Sequence, residues 1–387
     1  MHLDRIAIVG AGMAGLAAAL SFSRLGMACD IFEEAGDLVE VGAGLQMSPN
    51  ASAILREFGI LGELEKIWTE PREIGLASGK SLKKLAAVPA GDFARKRWNA
   101  PYGVLHRATL QTTLLAAVEQ NSLCSIRLGT PIRGNLPRAL RELTGISYPL
   151  VIGADGVWSN ARGSVPDAPQ PDFSHNIAWR FTIPLNEAPS WLAPDCVTAF
   201  MGPSTHLVAY PLKEMAAFNI VAIASGISPG ATWEAQANES QHAMLIKQFS
   251  GWNGEITALL SRSARPTFWP LHEVTSGRWH NGRDVVLIGD AAHAMMPFSA
   301  QGAAMAIEDG FVLANEVKKA TSLPAALASF ENQRTSRAAK VKARGSFNRF
   351  AYHARGPFRI GRDIVLSLRP PQSLAADLDW LYGYRVN

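Results

Sequence analysis

Residues 5–15 read Arg-Ile-Ala-Ile-Val-Gly-Ala-Gly-Met-Ala-Gly, and residues 28–34 read Ala-Cys-Asp-Ile-Phe-Glu-Glu. Arg5–Gly10 is a short apolar run rich in β-branched residues, the pattern of a strand buried in a parallel sheet. Leu16 to Leu25 is rich in Ala and Leu and predicts a helix, which Gly26 stops. Ala28–Glu34 predicts a second strand that ends in acids. Strand, glycine turn, helix, strand and acid in this order predict a dinucleotide site.

Each glycine has its own work in such a turn. Gly10 allows the tight turn, Gly12 lets a pyrophosphate approach the backbone, and Gly15 lets helix and strand pack closely. Met13 and Ala14 complete the turn. The helix N-terminus then faces phosphates with free N–H groups and partial positive charge. Glu33, 18 residues after Gly15, is placed to accept hydrogen bonds from an adenosine ribose. Glu34, one residue on and on the opposite strand face, is the competing choice.

Working outward, the chain has 387 residues, 48% of them hydrophobic, enough for two or three domains and a large core. Its 33 Gly and 23 Pro show no period, which excludes a collagen-like chain. Net charge is only +4, but residues 334–369 hold ten Lys/Arg and one acid, Asp363. That segment reads as a solvated helical face or oligomer contact, or as a landing surface for an anionic cofactor or lipid headgroup. Its aromatics are not arranged on a known nucleic-acid module, so no nucleic-acid partner is expected. Cys29, Cys124 and Cys196 form no C-x-x-C, and the histidines show no metal spacing, so no metal site is expected and a reducing cytoplasm fits. Three glycines interrupt the apolar run at the start, against a signal peptide, and no stretch of about 18 apolar residues predicts a membrane span.

Two later motifs distinguish among dinucleotides. Gly153-Ala154-Asp155-Gly156, running on to Arg162, follows the apolar run Leu150–Ile152. The predicted strand Asp284–Gly289 leads into Asp290-Ala291-Ala292-His293 and then Met296-Pro297-Phe298-Ser299-Ala300-Gln301-Gly302-Ala303. With the glycine turn, these resemble the three fingerprints of the single-component FAD-dependent aromatic hydroxylases, the group A flavoprotein monooxygenases. The chain is most similar to the salicylate hydroxylase, 3-hydroxybenzoate 6-hydroxylase and 6-hydroxynicotinate 3-monooxygenase subgroup. Val41-Gly42-Ala43-Gly44-Leu45-Gln46, His106-Arg107-Ala108-Thr109-Leu110 and Asp379-Trp380-Leu381-Tyr382 carry the rest of that resemblance.

The resemblance implies an α/β fold: a Rossmann-like FAD-binding domain, an inserted, mainly antiparallel β substrate domain, and a helical C-terminus. The expected divisions are 1–175 (with an excursion near 70–100) and 269–345 for FAD, 176–268 for substrate, and 346–387 for the helices. Asp290, after Gly289, would bind the ribityl chain, and the helix starting near Gln301-Gly302 would aim its N-terminus at the flavin, with Ala303 packed against it. Gly44, Arg107 and, more weakly, Gln111 would contact FAD. Asp155 would position the cofactor, and Arg162 would hold Asp155 or meet nicotinamide phosphates. His293 reads as structural.

Thr205–Leu212 predicts a strand on which His206, Val208 and Tyr210 share one face. His206 and Tyr210 would stand about 13 Å apart, too far to touch but able to reach one ring between them. Their H-x-x-x-Y-P pattern resembles the subgroup's active-site strand, which implies His206 as the base for a substrate phenol, Tyr210 as its orienting partner and Pro297 shaping the reacting face. The implied reaction uses NADH or NADPH to reduce FAD, then O2, with a flavin hydroperoxide hydroxylating a small aromatic or heteroaromatic hydroxy acid. The alternatives are a related flavin monooxygenase on another ring, such as a pyridine ring-opening oxygenase or quinone-precursor hydroxylase, or a non-catalytic flavin redox sensor. A monomer or homodimer is expected. Trp179–Pro184 approaches the W-x-W-x-I-P pattern of flavin halogenases, but Phe181 replaces the second Trp, so it reads as a sheet strand. Gly129–Arg141 is shorter, more basic and more proline-broken than the hairpin usual in the family.

Overall fold

The computed structural model describes residues 3–38, 44–226, 235–263 and 266–386. A five-stranded parallel sheet forms the first layer, in the order Val285–Leu287, Val151–Gly153, Arg5–Val9, Ala28–Phe32, Cys124–Arg127. Arg5–Val9 is central because it is apolar on both faces, and its four residues from Ile6 on are buried. The helix Met13–Ser23 follows, beginning inside the glycine turn, and all of it is buried. It packs on the helix Gly302–Lys319, where Gly310 makes room: a Cβ there would stand 2.7 Å from the Ala18 backbone. The second strand stops at Phe32, which leaves Glu33 and Glu34 on the loop beyond the sheet.

The second layer is an eight-stranded sheet. Its members include Glu73–Ser78 and Lys84–Pro89, which leave the first layer to join it, and Pro171–Pro184, Cys196–Gly202, Thr205–Leu212 and Ala217–Ser225. Pairing is antiparallel except where Cys196–Gly202 runs parallel to Glu73–Ser78. One register row crosses five strands as Arg180, Val221, Val208, Ala199 and Leu76. In the proline-broken stretch a helix forms at Leu136–Thr144, capped by Asn135 accepting from Arg138 N and ended by left-handed Gly145. The prolines are tolerated because Pro137 falls in the first turn.

The basic segment divides. Arg334 and Arg337 do not form a solvated face; they are buried and pair with Glu308 and Asp309. They belong to the long helix Leu323–Tyr352, after which come Gly356–Leu368, Pro371–Ala376 and Asp379–Tyr382. Cys29 and Cys124 face each other across adjacent strands as free thiols. Among the described residues, no helix is long and apolar enough to cross a membrane, and no cluster is fit to hold a metal ion.

Candidate active site

A cavity of about 270 Å³ opens where the two layers meet. The glycine turn contributes Gly12, Met13 and Ala14; the far side contributes Gly44 and Arg107; the late motif contributes Asp290, Pro297, Gly302 and Ala303. The large sheet closes it with His206, Val208 and Tyr210 from one strand face and with Arg180, Val221 and Ile223. Residues from at least seven separate stretches therefore converge, among them eleven named as site candidates from the sequence. Of the remaining motif, Val41–Ala43 lie outside the described residues.

Other candidates support the cavity instead of lining it. Gly10 has φ +103°, and a Cβ there would meet Ala154 O at 2.5 Å; one on Gly15 would meet Gly10 O at 1.9 Å. Both positions hold the turn against its neighbours. Glu33 Oε2 accepts from Ala11 N at 2.6 Å and Oε1 from Ala35 N at 2.9 Å, so the carboxylate sits at the glycine turn. Glu34 points away to Arg133 at the surface, 3.5 Å distant. Gln111 is buried and donates to Ala11 O at 3.4 Å. Gln301 is buried among Ser48 and Asn50. Gly289, at φ +60°, donates its N–H to Asp309 Oδ2 at 2.7 Å, which fixes the turn carrying Asp290. His293 Nε2 shares that same oxygen at 2.6 Å, a structural post deep in the protein.

Asp155 Oδ2 accepts from Ala161 N at 3.0 Å, whereas Oδ1 is buried without a partner. Arg162 corrects the reading from sequence. It makes no hydrogen bond to Asp155. It donates instead to the carbonyls of Val157, Asp290 and Ala291, tying the central and late motifs together. Burial lowers its pKa, partly offset by Asp155 and Asp290 nearby.

His206 is 1% exposed. Its Nδ1 lies 2.9 Å from Nε2 of His353, and the rings of Phe298 and Tyr352 flank it at 4.9 and 5.4 Å. Burial, then the neighbouring His353, pushes its pKa well below the ordinary histidine value, so the ring is neutral near pH 7. Burial, with Arg349 and Arg355 beside it, brings His353 down to about 4. Tyr210 is buried, and its hydroxyl is pushed up and stays protonated. His353 was not legible in sequence, since 147 positions separate the two rings. Arg180 was also missed: it lies over the Trp269 ring, 5.5 Å from its centroid, with Nε buried and without a hydrogen bond. Asn219 was a third omission; its Oδ1 accepts from Gly44 N at 2.9 Å and holds that strand against the cavity.

A second cavity, of about 630 Å³, adjoins the first and shares Gln46, His206, Val208, Pro297 and Ala300 with it. Its walls are mostly apolar, from Leu76, Val197 and Ala199 on the sheet to Phe358 and Val365 on the helix Gly356–Leu368.

The architecture fits a flavin dinucleotide. A Cβ at Gly12 or Gly302 would meet nothing within 4 Å, so each leaves open backbone facing the cavity. The Gly302–Lys319 helix starts there with no acid in its first turn, and the Asp290 carboxylate can accept from a polyol. Residues 4–344 match the family model described as FAD binding domain. A 3-hydroxybenzoate 6-hydroxylase from Aquipseudomonas alcaligenes is 33% identical over 393 residues, covering 99% of this chain and 98% of that protein. A 6-hydroxynicotinate 3-monooxygenase from Pseudomonas fluorescens is 32% identical over 347 residues, covering 87% and 89%. A solved salicylate hydroxylase substrate complex superposes with a TM-score of 0.80 at 22% identity, over 99% of this chain and 96% of that one. The chain belongs to the FAD-dependent monooxygenases that act on aromatic rings.

Proposed function

We propose that this enzyme hydroxylates a small aromatic or heteroaromatic hydroxy acid of the hydroxybenzoate or hydroxynicotinate type, with O2 as cosubstrate and NADH or NADPH as electron donor. The observation that carries the reading is the neutral, buried His206 on the cavity wall, backed by His353. FAD, when bound, supplies the oxygen-transfer chemistry. Gly12, Met13 and Ala14 would receive its pyrophosphate, Glu33 its ribose, Asp290 its ribityl chain and the backbone at Gly302 and Ala303 its ring edge.

The protein's own contribution is to the substrate ring. In the tautomer with the proton on His206 Nδ1, Nε2 accepts the phenol proton while Nδ1 passes its own to His353 Nε2. His353 is less buried, so the proton moves outward and a neutral His206 is left beside the anionic phenolate. A more anionic phenol is a stronger nucleophile, typically worth about 10²–10⁴-fold. Tyr210 orients the ring from the same strand face, and Pro297 shapes the wall opposite.

The test is a panel of hydroxybenzoates and hydroxynicotinates, with NADH and NADPH oxidation, oxygen uptake and product followed together. Stoichiometric hydroxylated product from a panel member supports the reading; donor oxidation that no member stimulates rejects it. The adjoining cavity of about 630 Å³ favours a second reading, a related monooxygenase on a ring with an apolar extension. Alkyl-substituted phenols in the same panel separate the two.

A further inference from the structure

The helix Gly356–Leu368 is turned inside out. None of its 13 residues is buried. Pro357, Phe358, Ile360, Ile364, Val365 and Leu368 are all exposed, Leu368 to 77%. On a helical wheel they form one continuous arc. The opposite side, turned to the protein, carries the partly buried Arg359, Arg362, Asp363 and Leu366. Arg362 explains the orientation: it donates to the carbonyls of Ala351 and Tyr352, at 2.8 and 3.3 Å, and holds Asp363 at 2.6 Å. Phe347 and Phe350, at the end of the preceding helix, extend the patch. Seven of the 14 exposed large hydrophobic side chains among the described residues fall between 347 and 368, a cluster that scattered surface residues do not make.

We propose that this face docks on the surface of a bilayer containing anionic lipid. Cations border the patch: Arg349 and Arg355 are exposed beside it, and Lys80 and Lys83 flank the groove under Ile360 and Leu368. An apolar arc bordered by Lys and Arg lies in the headgroup region, apolar side down, and the cations meet anionic headgroups. A second copy of this chain fits less well. Two-fold pairing through this face would bring the Arg and Lys side chains that border it against those of the other copy. Antiparallel two-fold pairing would also set Arg355 of one copy near Arg369 of the other. The mouth of the larger cavity, at Phe358 and Val365, would then face the lipid. The proposal does not depend on which ring is hydroxylated.

Flotation of the full-length, FAD-loaded protein with vesicles tests it, using phosphatidylcholine alone or mixed with phosphatidylglycerol. Binding should be at least about tenfold tighter on the mixed vesicles and should weaken as salt rises. The double variant Ile364→Asp/Leu368→Asp should lose flotation while keeping its flavin absorbance and melting temperature, because both side chains are already exposed. Absence of flotation on mixed vesicles overturns the proposal. So does a wild-type dimer that never floats and that the double variant converts to a monomer, which would make the face a self-association surface.

Discussion

Arg334 Nε donates to Asp309 Oδ1 at 2.7 Å, and neither side chain has any exposure to solvent. The same guanidinium reaches Glu308 at 2.7 Å, and Arg337 binds the other oxygen of Glu308 at 2.7 Å. Asp309 in turn holds Gly289 N and His293, so the Asp290 turn rests on a fully interior ion cluster. Removing one partner leaves its opposite charge buried and unpaired. Arg334→Met should therefore cost about 3–5 kcal/mol in urea unfolding. A loss below about 1 kcal/mol would mean that the cluster is not held as drawn.

Acid should unfold the protein in two stages. Burial depresses His206 and His353, the latter to about 4. Their folded values lie below the unfolded one, so the stability they contribute is present above about 6.5 and is lost as pH falls toward 4. Glu308 and Asp309 follow. Burial pushes each up, but Arg334 with Arg337 or His293 more than offsets it, and both end below the ordinary carboxylate range. Their contribution is lost below about 4. Melting temperature against pH should thus decline between 6.5 and 4 in wild type and more weakly in His353→Asn.

His206→Asn should slow hydroxylation by about 10²-fold while flavin reduction continues, so that more reducing equivalents appear as hydrogen peroxide. His353→Ala should give a milder version, because it interrupts the relay but leaves the acceptor. Rapid-mixing kinetics with peroxide and product measured together check both. Wild-type coupling in His206→Asn would leave that residue a structural role only.

The glycines of the turn should separate into two kinds. Gly12→Ala places its methyl in open space, so stability should hold while the FAD dissociation constant rises by about tenfold or more. Gly15→Ala drives a methyl onto Gly10 O and should cost about 3 kcal/mol or more. Equal effects on FAD affinity and melting in both variants would contradict this division.

Glu33→Ala should weaken FAD binding by about tenfold and leave kcat of the FAD-saturated enzyme within about twofold, since a ribose contact is uniform binding. Glu34→Ala, whose carboxylate lies at the surface with Arg133, should change neither. Titration of the apoprotein with FAD gives the comparison.

The nucleotide turn was legible because its glycines answer to local sterics and its strand to a short apolar run. A period of two put His206 and Tyr210 on one face, and the resemblance to the family's active-site strand singled them out. His353 and Arg180 were not, since they reach the cavity through tertiary packing that no spacing encodes. Arg162 was misjudged because a basic residue near an acid suggests a pair, whereas three carbonyls from two loops claim its donors. The Leu136–Thr144 helix was hidden behind prolines that sit where a first turn accepts them. The basic run near the end read as one surface, yet two of its arginines are interior.

Arg337 also donates to the main-chain carbonyls of Trp380 and Leu381, at 3.0 and 3.1 Å. Those carbonyls help satisfy a guanidinium that Glu308 alone does not saturate. During synthesis, therefore, two donors of Arg337 go without their final partners until residues 380 and 381 have emerged. The interior under the Asp290 turn is thus completed by a segment made some ninety residues later.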